Sequence, residues 1–152
     1  MHMKIFGTVL LVALASVSWA ETLVVTADRM FDAESGKVSG PVRVVVVDGM
    51  IAAVNPDSVP ADADVVALGD RTLMPGLLDM HTHLTGDYFS GDHWVTMPVY
   101  ETAADWAVLG TRFARDTLMA GFSTGRAVGA RPGFPVVALM TAGHGGSVPG
   151  PD

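Results

Sequence analysis

The 152-residue chain contains no cysteine. That excludes a disulfide framework, and it excludes a thiolate as nucleophile or metal ligand. Any metal would have to be held by histidine, by carboxylate or by a modified residue. Charge is sparse and uneven, with 9 Lys and Arg against 16 Asp and Glu, for a formal net charge of −7. There is no basic run and no basic patch interleaved with aromatics, so the sequence offers nothing to nucleic acid. An acidic surface of this kind serves solubility. Only one long hydrophobic run is present, Ile5 to Val17, which is short for a membrane span of ~20 residues.

That run has the layout of a secretory signal. Lys4 supplies a positive start, Ile5 to Val17 the apolar centre, and Ser18-Trp19-Ala20 places small residues at the two positions a signal peptidase reads. Cleavage after Ala20 is expected, with export to the periplasm or medium and no stable membrane anchor. Removal leaves 152 − 20 = 132 residues, and since Lys4 is the only charged residue lost, the formal charge moves from −7 to −8. The leader also explains much of the mean hydropathy of +0.39.

Residues 21–74 read as a small antiparallel β unit. Thr22 to Ala27 is a strand, and Asp28 to Gly40 a turn-rich connection. Val42 to Val47 is a β-branched strand that returns through the two-residue turn Asp48-Gly49 into Met50 to Val54. A loop from Asn55 to Ala63 leads to a short strand at Asp64 to Leu68. A sheet of roughly 50 residues without disulfides is marginal alone.

The most informative stretch is Pro75-Gly76-Leu77-Leu78-Asp79-Met80-His81-Thr82-His83-Leu84. A Pro-Gly turn delivers the chain into an apolar strand ending in His-x-His. Side chains alternate along a strand, so His81 and His83 share a face and form half of a site for a divalent transition metal. A bare His-x-His is also compatible with a plain surface strand; the Pro-Gly turn, the apolar strand and Asp79 point to metal. Asp79 shares the histidine face but lies deeper, as a structural group that can orient a ligand imidazole.

Further on, Thr85 to Tyr100 is rich in Gly, Asp and aromatics and reads as a loop. His93 and Trp94 are candidates to line a pocket. Thr102 through Ala120 has helical periodicity, with apolar residues at Ala103, Trp106, Ala107, Phe113, Leu118 and Met119, and Gly121 ends it as a C′ glycine. Phe122 to Gly129 should be the next strand, making Leu77 to Val128 one βαβ unit and 75–130 one region. Residues 131–152 read as a Gly/Pro-rich tail. Its His144, in the frame Gly143-His144-Gly145-Gly146, is the remaining histidine that could become a ligand.

The segment Arg71 to Leu84 closely resembles the amidohydrolase superfamily. Leu118-Met119-Ala120-Gly121-Phe122-Ser123-Thr124-Gly125-Arg126-Ala127-Val128-Gly129 is similar to that family's Gly-Phe-Thr-Thr-Val-Arg-Asp-x-Gly segment. It departs at Ser123, at Gly125, which weakens a strand, and at Ala127, where the family carries Asp. The resemblance implies an α/β fold class: the N-terminal part of a small β-sandwich followed by the first β-α-β of an incomplete (β/α)8 TIM barrel. It implies that His81 and His83 bind catalytic metal, most often zinc, for hydrolysis of a C–N bond in a small-molecule amide or dipeptide. The exported Xaa-Pro dipeptidase and imidazolonepropionase-like branch is the nearest in pattern. By the same resemblance, a carboxylated lysine or acidic bridging ligand, two further histidines and the aspartate general base would lie beyond the two barrel strands recognisable here.

A complete barrel takes eight strands and ~250 residues. The chain therefore reads as the N-terminal portion of an exported amidohydrolase, inactive in isolation. The alternative is a small exported non-enzymatic β-rich protein, or a gene remnant, with a weak His-x-His site; a separate chain supplying the missing strands is a third. Substrate identity, metal number and assembly as a homo-oligomer stay open at this level.

Overall fold

The structure, a computed structural model, describes residues 21–87, 91, 93–129 and 131–152, and at His93 and Trp94 the backbone only. The leader read at 1–20 lies outside the described residues. The chain divides into two compact units, Met1–Met74 and Pro75–Asp152, and the fold is mixed α/β with three sheets. Among the described residues, no helix is long and apolar enough to cross a membrane.

In the first unit, β1 (Thr22–Ala27), β4 (Val42–Val47), β5 (Met50–Val54) and β6 (Asp64–Ala67) form a sheet in the order β5-β4-β1-β6. A second sheet holds β2 (Arg29–Asp32), β3 (Lys37–Ser39) and β7 (Thr72–Leu73) in the order β3-β2-β7. The β4–β5 turn has both central residues at positive φ, Asp48 at 49° and Gly49 at 78°, which is what a type I′ hairpin demands of an Asp-Gly pair. Val24, Ala27, Val42, Val44 and Val45 form the buried interior. Met30, Leu68 and Leu73 pack against the cluster of Ala27, Val42 and Val44, so both sheets share this core.

Two expectations change here. The segment 28–40 is a hairpin and not merely a turn-rich connection. Its turn is held by Asp32, which accepts hydrogen bonds from the Glu34 backbone and the Ser35 hydroxyl. Nor is the unit purely antiparallel: β6 runs parallel to β1 and β7 parallel to β2. The loop after β5 carries the chain past β4 to the far edge of β1, and a strand arriving by such a crossover lies parallel to its neighbour.

The second unit is built on β8 (Leu77–Thr82) and β9 (Phe122–Ala127), paired in parallel. Between them run α1 (His93–Tyr100) and α2 (Ala103–Met119). The helix α1 occupies the end of the stretch read as a loop. Pro98 within it and its β-branched valines make a weak helix signal, yet Met97 is fully buried and anchors it. A capping box starts α2: the Thr102 hydroxyl accepts from the Asp105 backbone while the Asp105 carboxylate accepts from the Thr102 backbone at 2.8 Å. Its end is the C′ glycine expected, Gly121 at φ 98°.

The buried stripe of α2 is Trp106, Gly110 and Ala114, at a spacing of four. Met119, assigned to the apolar face from sequence, is exposed. Small residues occupy the stripe because α3 (Pro135–His144) packs there: a Cβ on Gly110 would come within 3.0 Å of Leu139. Residues 131–152 are thus not simply a Gly/Pro-rich tail. Pro135 opens the helix at its first turn, where a missing N–H costs nothing, and Val136 and Leu139 are buried. Beyond it, Asp152 donates to the Ser123 carbonyl at 3.0 Å and accepts from the Gly125 N–H at 2.7 Å, so these last residues lie along β9.

Candidate metal centre

His81 and His83 stand at the C-terminal end of β8, where a parallel sheet with crossover helices presents its functional groups. Their Nε2 atoms approach to 3.2 Å and the ring centroids to 5.2 Å, with the rings inclined at 65°. Two Zn–N bonds of about 2.0–2.1 Å at a tetrahedral angle would separate the nitrogens by about 3.3 Å. The pair therefore fits one divalent cation. Without one, the same separation lets one ring donate to the other, according to tautomer. Both histidines are exposed, so an ion has open access.

The register of β8 explains how the pair is aimed. Leu78 lies opposite Thr124, Asp79 opposite Gly125, and Thr82 opposite Ala127, with the ladder interrupted between Asp79 and Thr82. Three steps on β8 therefore match two on β9, a bulge centred on Met80 and His81. Asp79 Oδ1 accepts the His81 backbone N–H at 3.0 Å. Asp79 thus holds the backbone of His81 at the bulge, and its bond goes to the main chain and not to an imidazole. Despite Gly125, β9 forms over Phe122–Ala127, two residues short of the strand expected to Gly129, and the irregularities flank that glycine. Ala127 sits opposite Thr82 and brings no carboxylate to the strand end.

Of the remaining candidates, the described one, His144, is not brought to the pair. The helix α1 begins at His93, but the side chains of His93 and Trp94 lie outside the described residues. His144 stands at the end of α3 with Nε2 3.7 Å from Asp152 Oδ1, on exposed surface. Among the described residues no group of three or more His, Asp or Glu side chains could hold a metal. Sequence reasoning missed Gly129, which abuts the His83 ring: a Cβ there would lie 3.2 Å from His83 Cε1. The signal that could have found it is register, because a strand parallel to β8 must pass His83 just after Ala127.

No protein-family profile matches the chain. It is 48% identical over 44 residues to the dihydroorotase of Mycobacterium tuberculosis, a stretch covering 28% of this chain and 10% of that protein. Among solved structures, it superposes on an Xaa-Pro dipeptidase with methionine bound in the active site at TM-score 0.71 and 28% identity, over 86% of this chain and 32% of the dipeptidase. It also superposes on a prolidase complexed with N-methylphosphonate-L-proline (TM-score 0.69, 23% identity, 86% and 30%). The Aspergillus niger ochratoxinase gives TM-score 0.68 at 20% identity, over 89% and 31%; at that identity the likeness shows the fold alone. The chain spans about a third of the length of these structures. The His-x-His strand and the parallel β8–α2–β9 unit thus go with likenesses to an Xaa-Pro dipeptidase and, over a short stretch, to a dihydroorotase, both hydrolases of the amidohydrolase superfamily.

Proposed function

We propose that this chain is the N-terminal portion of an exported, metal-dependent hydrolase that cleaves a C–N bond in a small amide or dipeptide, with Xaa-Pro dipeptides the preferred class. In this reading the first unit contributes to a β-sandwich, and β8 and β9 are the first two strands of a (β/α)8 barrel. The observation that carries it is the 3.2 Å approach of the two Nε2 atoms at the strand end. The dipeptidase likeness, at 28% identity, supports the substrate class.

His81 and His83 would hold the ion through Nε2, and zinc is among the metals that suit paired imidazoles. A zinc so held supplies a water of pKa about 7 and a Lewis acid for the scissile carbonyl. Asp79 keeps His81 in place by fixing its backbone at the bulge. The general base is not assigned to any residue of this chain, so the isolated chain lacks the group that would take the proton from water. A catalytic zinc ordinarily has three protein ligands, and two leave it weakly held.

The test is zinc titration of the leaderless chain with His81→Ala and His83→Ala, alongside turnover assays on Xaa-Pro dipeptides with zinc, cobalt or manganese. Weak zinc binding, abolished in either variant, and no turnover are expected. No zinc binding at all would favour the non-enzymatic reading. Stoichiometric zinc surviving dialysis against a chelator would instead bring in His93 or His144 as further ligands. Metal-dependent turnover lost in His83→Ala would overturn the partial-enzyme reading.

A further inference from the structure

We propose that Gly129 is a positioning residue for the His83 imidazole: the absence of a side chain there sets where Nε2 of His83 points. The proposal rests on the metal reading above and deepens it.

Three observations carry it. First, the place is fixed by the ladder. Thr82 pairs with Ala127, and the Val128 N–H donates to the Thr82 carbonyl at 3.3 Å, which lays Gly129 against His83. Second, the backbone does not require glycine, because Gly129 is absent from the positive-φ glycines that include Gly121 and Gly133. Third, what a Cβ would meet is the histidine ring, with Cε1 at 3.2 Å and Nδ1 at 3.6 Å; no other described heavy atom outside its chain neighbours comes within 4 Å.

Carbon–carbon contacts settle at about 3.5–4.0 Å. A methyl at 3.2 Å therefore forces the ring back by a few tenths of an ångström. Cε1 is bonded to Nε2, so the displacement carries the metal-binding nitrogen with it and changes the 3.2 Å separation from Nε2 of His81. Other glycines nearby differ. Gly76 packs against Ser123, where an added Cβ would overlap the serine side chain, whereas Gly125 would make only ordinary contact with Thr82 at 3.5 Å.

The experiment compares Gly129→Ala and Gly129→Val with Gly125→Ala, within β9 just before Gly129, as the control. Two readouts are used on the leaderless chain: imidazole ring resonances of the metal-free protein, assigned with His81→Ala and His83→Ala, and zinc titration. Gly129→Ala should shift the His83 ring signals and weaken zinc binding about tenfold, and Gly129→Val should do more. Melting temperature should be unchanged or raised in Gly129→Ala, because alanine restricts the unfolded chain. Unshifted His83 signals with unchanged zinc affinity would overturn the proposal, as would a Gly129→Ala chain that no longer folds, since the glycine would then serve the fold. Should the parent chain bind no zinc, the metal reading fails by itself. The ring spectra then decide alone: a shift of His83 confined to the Gly129 variants supports positioning, and none overturns it.

Discussion

Strands β4 and β8 are both six residues long, with five apolar residues in the one and three in the other, and they end in opposite circumstances. β4 is bonded on both edges, to β1 and β5, and Val42, Val44 and Val45 are buried. Among the described residues β8 has one strand partner, β9, and Leu78 is 63% and Met80 58% exposed. Local sequence makes a strand in either place; burial comes from what lies on both sides of it. β4 finds its cover within 74 residues: β1 and β5 pair with its two edges, and Met30, Leu68 and Leu73 pack against the cluster that holds Val42 and Val44. β8 finds cover only at its C-terminal end, where Thr82 is buried. An exposed strand with an open edge invites pairing with other chains, and the histidines stand at the end of such a strand.

The sharpest way to break this comparison is to place a carboxylate on each strand. Val44→Asp buries an unpaired charge and should cost at least about 3 kcal/mol, unfolding the first unit. Leu78→Glu exchanges one exposed side chain for another and should stay within about 0.5 kcal/mol, while reducing self-association. Denaturant unfolding and light scattering read both effects. Equal losses of stability would mean that the β8 face is covered in solution.

A second, smaller test concerns the bulge that aims His81. Asp79→Ala leaves the His81 N–H without its acceptor, which should cost about 1 kcal/mol and weaken zinc binding severalfold. Asp79→Asn keeps an acceptor oxygen and should restore much of both. If Asp79→Ala binds zinc as the parent does, the bulge is held by other bonds, and β8 resembles β4 more closely than its register suggests.

Much of this was legible in the residues, and the reasons are local. Asp48-Gly49 specified a hairpin because few other pairs tolerate positive φ twice. Gly121 marked the end of α2 because it takes up positive φ there, whereas the capping role of Thr102 at its start came only with the structure. Strand alternation put His81 and His83 on one face, and the two rings do approach, although a bulge at His81 helps to aim them. What escaped detection depends on tertiary partners. α1 and α3 have no clean amphipathic stripe, and each is held by burial of a few residues, Met97 in one and Val136 and Leu139 in the other. The proline at the start of α3 looked like a breaker when it was an initiator. The bulge at Met80 and His81, and the contact of Gly129 with His83, exist only through the register with β9, which no single strand encodes.

The least effect is expected at the capping box of α2, the helix that makes the parallel pairing of β8 with β9 feasible. The Asp105 carboxyl is held below its ordinary value, chiefly by the Thr102 hydroxyl and then by the Thr102 backbone N–H. Its folded form therefore releases its proton more readily than the unfolded chain does. The stabilisation is fully present above the ordinary carboxylate range, near pH 4, and disappears as pH falls through the lowered folded value. Asp32, held low by the Ser35 hydroxyl and the Glu34 backbone, follows the same direction at the β2–β3 turn. Thr102→Ala should cost about 1 kcal/mol at pH 7, and its deficit should shrink toward pH 3 as Asp105 protonates in the parent. Val44→Ala, which removes only apolar contact, should show a deficit independent of pH over the same range. A Thr102→Ala deficit that is equally flat would show that the box contributes through geometry alone and that the carboxylate adds nothing to holding α2 against β9.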